Sequence, residues 1–373
     1  MTMAVVSTSP SNFAGAAAVH CRILCMLAAR GVECHFIVTG TPFYQAELIR
    51  SGVTIHTGRV HSDAYPESDA LAAAGIAKAL YEQGRHAARN GREVVLCGTF
   101  LFPFFQSVLT ARRLLAREGL TVRTVAIPAG SDIWQVGYQL PELVIDALNE
   151  DECSAVIAYS HSFALEIQQL TSTERPIAVT RPPLDVARYE PLNRRDRRLL
   201  RRQLGLRENA FTLLSCCNMR PVKRIDVTID IALRLAAVSP VEVTLLLVGP
   251  RTPHLDRALA SIAAHQSSAR NLSIVTKGLC YPTMPYHQVA DAAISTSVHD
   301  SFNVSIAESL AVGCPVLVSA SNGVAEVFSE SLRNMVVQYP ERSLQSLRDN
   351  VLIAPTEMEL VSASDHLLTL VWT

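Results

Sequence analysis

Residues 297–326 read SVHDSFNVSIAESLAVGCPVLVSASNGVAE, and the fold class turns on how this stretch is parsed. A β-tending run at 293–298 enters a short polar loop at 299–303. A helical pattern follows at 304–312, with Val304, Ala307, Leu310 and Ala311 on one face. A second strand at 315–320 leads to an Asn322-Gly323 turn and another helix start bearing Glu326. Two strand-to-helix junctions side by side predict an open parallel α/β sheet, in which ligands bind outside the carboxyl ends of the strands. Helix starts aim free N–H groups into such a crevice. Asp300 and Glu308 add carboxylates, which accept hydrogen bonds but donate none. Donors and carboxylates together suit a hydroxyl-rich ligand, and a sugar is the expectation.

Outward from this stretch the same alternation fills the chain. Strands are predicted at 3–7, 34–39, 53–56, 93–97 and 121–127, with helices opening at Gly15 and covering 44–51, 69–88 and 104–118. Alternation of this kind implies a doubly wound parallel sheet. A further strand at 155–159, a helix at 161–170 with Ser160 as N-cap, and a strand at 177–180 complete a first set. The segment RPPLDVARYEP at 181–191 has two adjacent prolines and a third near its end, and reads as a stiff extended connector. A second set follows, with strands at 211–217, 243–248 and 273–276. The predicted division is two Rossmann-like domains, 1–181 and 182–350, and a C-terminal segment 351–373.

The strand at 211–217 runs into CNMRPVKRID, so Arg220, Lys223 and Arg224 place concentrated positive charge at a strand's carboxyl edge. Arg offers a planar fork and Lys a compact charge, and together they can neutralise a diphosphate without a metal. No DxD motif is present to carry a divalent ion. Salt bridging at the surface is the alternative role for these three cations.

The totals narrow the function classes. A chain of 373 residues with 49% hydrophobic content can bury two cores, and its net charge of −1 gives no global pull toward nucleic acid or anionic membrane. No apolar run reaches the roughly 18 residues of a membrane span, so a soluble protein is expected. Nine Cys without CxxC spacing read as reduced core thiols. MTMAVVSTSP lacks a basic region and a long apolar run, so a first strand is expected there rather than a secretory signal, and the cytoplasm is the expected location. No GxGxxG follows any predicted strand, which disfavours a dehydrogenase.

Asp300-x7-Glu308, followed by Ala311, Gly313, Pro315, Val316, Gly323 and Glu326, resembles the E-x7-E signature of the retaining GT-B glycosyltransferases of the family-4 type. Ser131, Asp132 and Ile133 after Gly130 resemble the family's HGSDI-type loop, with Ala129 in place of the His that meets the donor hexose. Asp185, Arg188, Tyr189 and Pro191 resemble the segment that opens its second domain. The NxRxVKR arrangement around Lys223 is similar to the subgroup of bacillithiol-pathway N-acetylglucosaminyl malate synthases. The resemblance implies a GT-B fold, two Rossmann-like domains facing across a cleft. It implies transfer of a hexose, N-acetylglucosamine being one candidate, from a UDP-type sugar to a small hydroxyl acceptor with retention and without metal or other cofactor. Arg220, Lys223 and Asp300 would be catalytic. Gly15, Gly249, Gly278, Phe302, Asn303, Val304 and Glu308 would bind the donor, Glu308 through the ribose. Gly130, Ser131 and Asp132 would lie on the acceptor side, with His20 and His161 as candidates to replace the missing His. Asp300 stands where the family has Glu, keeping the charge with a reach one methylene shorter.

Rival readings stay open at this level. Another GT-B sugar-nucleotide enzyme, an epimerase or a synthase, would share the same motifs, as would a membrane-surface transferase acting on a lipid. The six Arg between 194 and 202 read either as an acidic-lipid or nucleic-acid patch or as the solvated face of a helix whose buried side is Leu199, Leu200 and Leu204. Phe100, Phe102, Phe104 and Phe105 read either as a membrane- or acceptor-facing loop or as an interior turn around Pro103. After Glu326 the resemblance fades, and short helices at 341–350 and 357–370 are expected to form an abbreviated return to the first domain.

Overall fold

The computed structural model describes residues 2–10, 14–42, 44–57, 70–134, 146–263, 271–328 and 351–354. The helices expected at 341–350 and 357–370, and residues 135–144 of the loop after Ile133, lie outside them. The chain forms two compact units, Met1–Pro183 and Leu184–Thr373.

The first unit carries strands Met3–Thr8 (β1), Glu33–Val38 (β2), Thr54–Thr57 (β3), Glu93–Thr99 (β4), Arg123–Ile127 (β5), Ala155–Ala158 (β6) and Ile177–Val179 (β7). They form one sheet in the order β3-β2-β1-β4-β5-β6-β7, every pair parallel. Helices Ala14–Ala29, Ala70–Arg89 and Gln106–Arg117 supply crossovers. The second unit carries Phe211–Cys216 (β8), Val243–Val248 (β9), Leu272–Thr276 (β10), Ala292–Ser295 (β11), Val316–Ser319 (β12) and Val351–Ala354 (β13), again all parallel, in the order β10-β9-β8-β11-β12-β13. β9 is buried along its whole length, as a Val- and Leu-rich strand covered on both faces must be.

The Phe cluster is an interior turn. Leu101, Phe104 and Phe105 are fully buried in a kinked turn, Leu101–Phe105, between β4 and helix Gln106–Arg117. The membrane-facing alternative is thereby set aside for these side chains. All nine cysteines are free thiols, five of them buried. The helix start bearing Glu326 is a six-residue 3₁₀ helix, Gly323–Phe328.

The Arg-rich segment is a helix, Arg194–Gln203, capped by Asn193, whose side chain accepts from the Asp196 N–H at 3.0 Å. Its buried side differs from the expected leucine face. Leu199 is 45% exposed, whereas Arg201 is 6% exposed. The guanidinium of Arg201 donates to the carbonyls of Val289, Glu208 and Ala210 and to Asp291 Oδ2 at 2.5 Å. Asp291 in turn accepts the Thr212 N–H at 2.7 Å and Arg197 at 2.6 Å. Five N–H donors in a planar fork can satisfy carbonyls left over at the amino edge of the sheet, which a leucine cannot.

His20 and Asp132 are among the titratable groups buried in the first unit. His20 is buried, its Nδ1 2.7 Å from Thr99 Oγ1 and its ring 5.4 Å from that of Phe36, and burial lowers its pKa to about 4. Asp132 is 0% exposed and accepts the N–H groups of Leu101 (3.1 Å), Ala129 (3.1 Å) and Gly130 (2.9 Å). Burial pushes its carboxyl up to about 6 against the pull of those donors.

These features generate two expectations. Arg201→Ala should cost about 3–5 kcal/mol in urea unfolding, because it strips Asp291 and three carbonyls of donors. Arg195→Ala, exposed on the same helix, should cost less than about 0.5 kcal/mol. For pH, unfolded His20 binds a proton below about 6.5 but folded His20 only below about 4, so its stabilising contribution is lost as pH falls through that window. Asp132 has the opposite sign, its contribution being lost as pH rises from about 4 to about 6. Unfolding free energies measured between those limits should therefore rise less with pH in His20→Gln than in the wild type, and more steeply in Asp132→Asn. Parallel profiles for all three proteins would contradict this.

Candidate functional site

β8 ends at Cys216, and the chain turns through Asn218 and Met219 into a short 3₁₀ turn, Pro221–Lys223. Arg224, at φ 48°, closes that turn and starts helix Ile225–Val238. The turn is pinned from the neighbouring strand. Thr296 Oγ1 lies 2.9 Å from both the Lys223 and Arg224 carbonyls, and 2.8 Å from Thr228 Oγ1. Lys223 is thereby aimed at the loop after β11, where its ammonium donates to Asp300 Oδ2 at 2.5 Å; the two side chains are 15% and 12% exposed.

Asp300 works in two directions. Its other oxygen, Oδ1, accepts the Asn303 N–H at 3.0 Å, and its backbone bridges to the segment after β12, accepting from the Gly323 N–H at 2.9 Å. Asn303, at φ 65°, caps helix Val304–Ala311 through the Ile306 N–H. Its amide donates to Ser295 Oγ at 2.7 Å and Asn322 Oδ1 at 2.8 Å. A cavity of about 10 Å³ between these parts is lined by Lys223, Asn303, Ser305 and the Cys216-Cys217 pair. Phe302 is buried beneath the loop, so its side chain serves packing and its backbone alone is left to meet a ligand.

Glu308 is one turn into the helix and 5% exposed. Oε1 accepts from the Tyr189 hydroxyl at 2.9 Å and Oε2 from the Thr283 hydroxyl at 3.0 Å, and His287 Nε2 lies 3.2 Å from Oε2. His287 Nδ1 is 2.8 Å from Ser309 Oγ. A carboxylate offers about four lone-pair sites, so two hydroxyl donors hold it in place without exhausting it. Tyr189, Thr283, His287 and Thr296 were missed as site residues. Tyr189 falls in the connector motif, but no spacing signals that it meets a glutamate 119 positions away.

The glycines nominated for the donor differ in what they do, and Gly249 is the one that close packing requires. Gly249, at φ +150°, donates its N–H to the Gly278 carbonyl at 2.7 Å. A Cβ on Gly249 would stand 1.8 Å from the Cys217 carbonyl, so the end of β9 reaches the Cys217–Lys223 turn only because the side chain is absent.

In the first unit the nominated residues do not form one group. Gly130, at φ +112°, lies against the Trp134 ring, which a Cβ would meet at 2.5 Å. Asp132 is corrected from an acceptor contact to an internal clamp, since both its oxygens are spent on backbone N–H groups in the core. His20 is likewise corrected to a core histidine bonded to Thr99. Ser131 and His161 are half-buried, His161 at the first position of helix His161–Thr171 behind the Ser160 cap. A Cβ on Gly15 would touch nothing within 4 Å, so close packing does not demand glycine there. Among the described residues no group of three or more His, Cys, Asp or Glu is placed to hold a metal ion, and no helix is long and apolar enough to cross a membrane.

Comparison with known proteins finds a family match in the second half of the chain and relatives and solved structures that extend over most of it. Residues 210–354 match the family model "Glycosyl transferases group 1". The chain is 22% identical over 315 residues to N-acetyl-alpha-D-glucosaminyl L-malate synthase of Bacillus anthracis, covering 81% of this chain and 74% of that protein. It is 26% identical over 204 residues to D-inositol 3-phosphate glycosyltransferase of Geodermatophilus obscurus, covering 53% of this chain and less than half, 45%, of that protein. Among solved structures, Anabaena Alr3699/HepE in complex with UDP and glucose aligns with a TM-score of 0.72 at 16% identity, over 98% of this chain and 89% of that one. WaaG, a glycosyltransferase involved in lipopolysaccharide biosynthesis, aligns at 0.66 and 17% over 98% and 90%. The protein therefore has the GT-B fold, and its residues 210–354, which hold Arg220, Lys223, Asp300 and Glu308, match the glycosyl transferases group 1 family model.

Proposed function

We propose that the chain transfers a hexose from a UDP-linked sugar to a hydroxyl of a small-molecule acceptor, with retention at the anomeric carbon and without a metal. The observation that carries this reading is the Lys223–Asp300 pair, set beside a helix start and one helical turn from Glu308. An ammonium has three donors, and Asp300 takes one. The others face the developing charge of a departing diphosphate, with Arg220 on the same turn adding a second cation. Charge that builds as the glycosidic bond breaks is stabilised most by groups already in position.

Glu308, fixed by Tyr189 and Thr283, has lone pairs for ribose hydroxyls. Asp300 and the backbone of Phe302, Asn303 and Val304 orient the hexose. Gly15, Gly130, Ser131 and His161 are the nominated residues left to the acceptor side or donor phosphates in the first unit. Retention follows from attack on the face the diphosphate leaves, with the leaving phosphate taking the acceptor proton. The names of the relatives, a malate synthase and an inositol 3-phosphate glycosyltransferase, support a small polar acceptor.

The test is incubation with UDP-glucose or UDP-N-acetylglucosamine and L-malate or inositol 3-phosphate, in the presence of a chelator, followed by NMR of the anomeric proton. The expected result is UDP release with an α-glycoside product. Lys223→Ala should lower kcat by roughly 10²- to 10³-fold. Tyr189→Phe should raise the donor KM by roughly threefold to tenfold with a smaller effect on kcat, since one hydrogen bond to a carboxylate is lost. UDP affinity unchanged in both Lys223→Ala and Glu308→Ala would refute the assignment. An isomerised sugar nucleotide formed from donor alone would identify an epimerase instead.

A further inference from the structure

We propose that the second unit carries a separate anion site, at the opposite edge of its sheet, for a small soluble phosphorylated molecule. A cavity of about 500 Å³ is lined there by Arg194, Arg197, Arg198 and Arg201 with Glu208 and Asp291. That volume falls in the range of small-molecule sites. The cavity includes Phe211, the first residue of β8, and Asp291, which immediately precedes β11. In a parallel sheet these mark the amino ends of the strands, whereas Lys223, Asp300 and Glu308 stand beyond the carboxyl ends. The two sites are therefore distinct.

The charges in the cavity do not cancel. Asp291 is shared by Arg197 and Arg201, and Glu208 is met by Arg202, 3.3 Å away, a residue outside the lining. Both carboxylates are thus occupied, and Arg194 and Arg198 have no carboxylate partner among the described residues. Arg197 contributes a buried Nε with no hydrogen-bond partner among the described residues. Arg201 is locked by its carbonyl contacts, so the inner wall is already organised before an anion arrives. Guanidinium forks match the geometry of phosphate oxygens, and several of them around a recess suit an anion with more than one phosphate face. A lipid surface would be met by cations on a convex face; here they converge on a hollow with a buried member.

Equilibrium dialysis of the full chain against labelled inorganic pyrophosphate at low salt tests this. Binding that persists in Lys223→Ala but weakens by roughly tenfold or more in the Arg194→Ala/Arg198→Ala double variant is expected. Arg195→Ala, on the same helix but outside the cavity lining, should change it by less than about twofold. The double variant alters exposed side chains only, and circular dichroism checks that it folds. The proposal is overturned if the double variant binds as the wild type does, or if Arg195→Ala weakens binding as much as the pair does. It is also overturned if Arg194 and Arg198 support sedimentation with phosphatidylglycerol vesicles while pyrophosphate does not bind at them.

Discussion

The 2.5 Å contact between Lys223 and Asp300 is the constraint on which the second unit's ligand edge depends. It joins the loop after β8 to the loop after β11, and Asp300 extends the connection through its backbone to the segment after β12. Three strand ends are thus tied at one residue, through its side chain and its backbone. Desolvating two opposite charges cancels much of their attraction, so such a pair is a weak source of net stability. Its consequence is positional. The ammonium and the carboxylate each hold the other in place at the ends of their strands.

An Arg–Asp cluster stands at the other edge of the same sheet. Arg201, Arg197 and Asp291 satisfy the carbonyl of Val289 and the Thr212 N–H, groups the parallel ladder leaves over. The two edges differ in what they leave open. At the carboxyl edge the pair is set among helix-start N–H groups and hydroxyls, and at the amino edge it forms the floor of an arginine-lined hollow. One sheet therefore separates two regions of positive charge by its own thickness along the strands.

Much of this organisation was legible in residue order. The alternation of strand and helix patterns rests on local periodicity and corresponds to the observed elements, with Arg220, Lys223 and Asp300 in the loops after β8 and β11 and Glu308 inside helix Val304–Ala311. What failed concerned side chains whose partners are remote. The leucine face of helix Arg194–Gln203 was a sound local reading, but carbonyls from residues 208–210 and 289 selected Arg201 for burial instead. Asp132 was nominated by resemblance to the HGSDI-type loop and His20 as a candidate for the missing His, and in the fold they bond to Leu101 and Thr99 in the core.

The sequence by itself determined the fold class, the division into two α/β sets and the acid and base types present at the ligand edge, because these depend on spacing along the chain. Only the tertiary structure decided that Lys223 is paired with Asp300 and that Tyr189 and Thr283 hold Glu308. The physical reason is that a hydrogen bond across 77 or 119 positions depends on sheet register and on which hydroxyl arrives within 3 Å, and neither leaves a periodic trace in the order of residues.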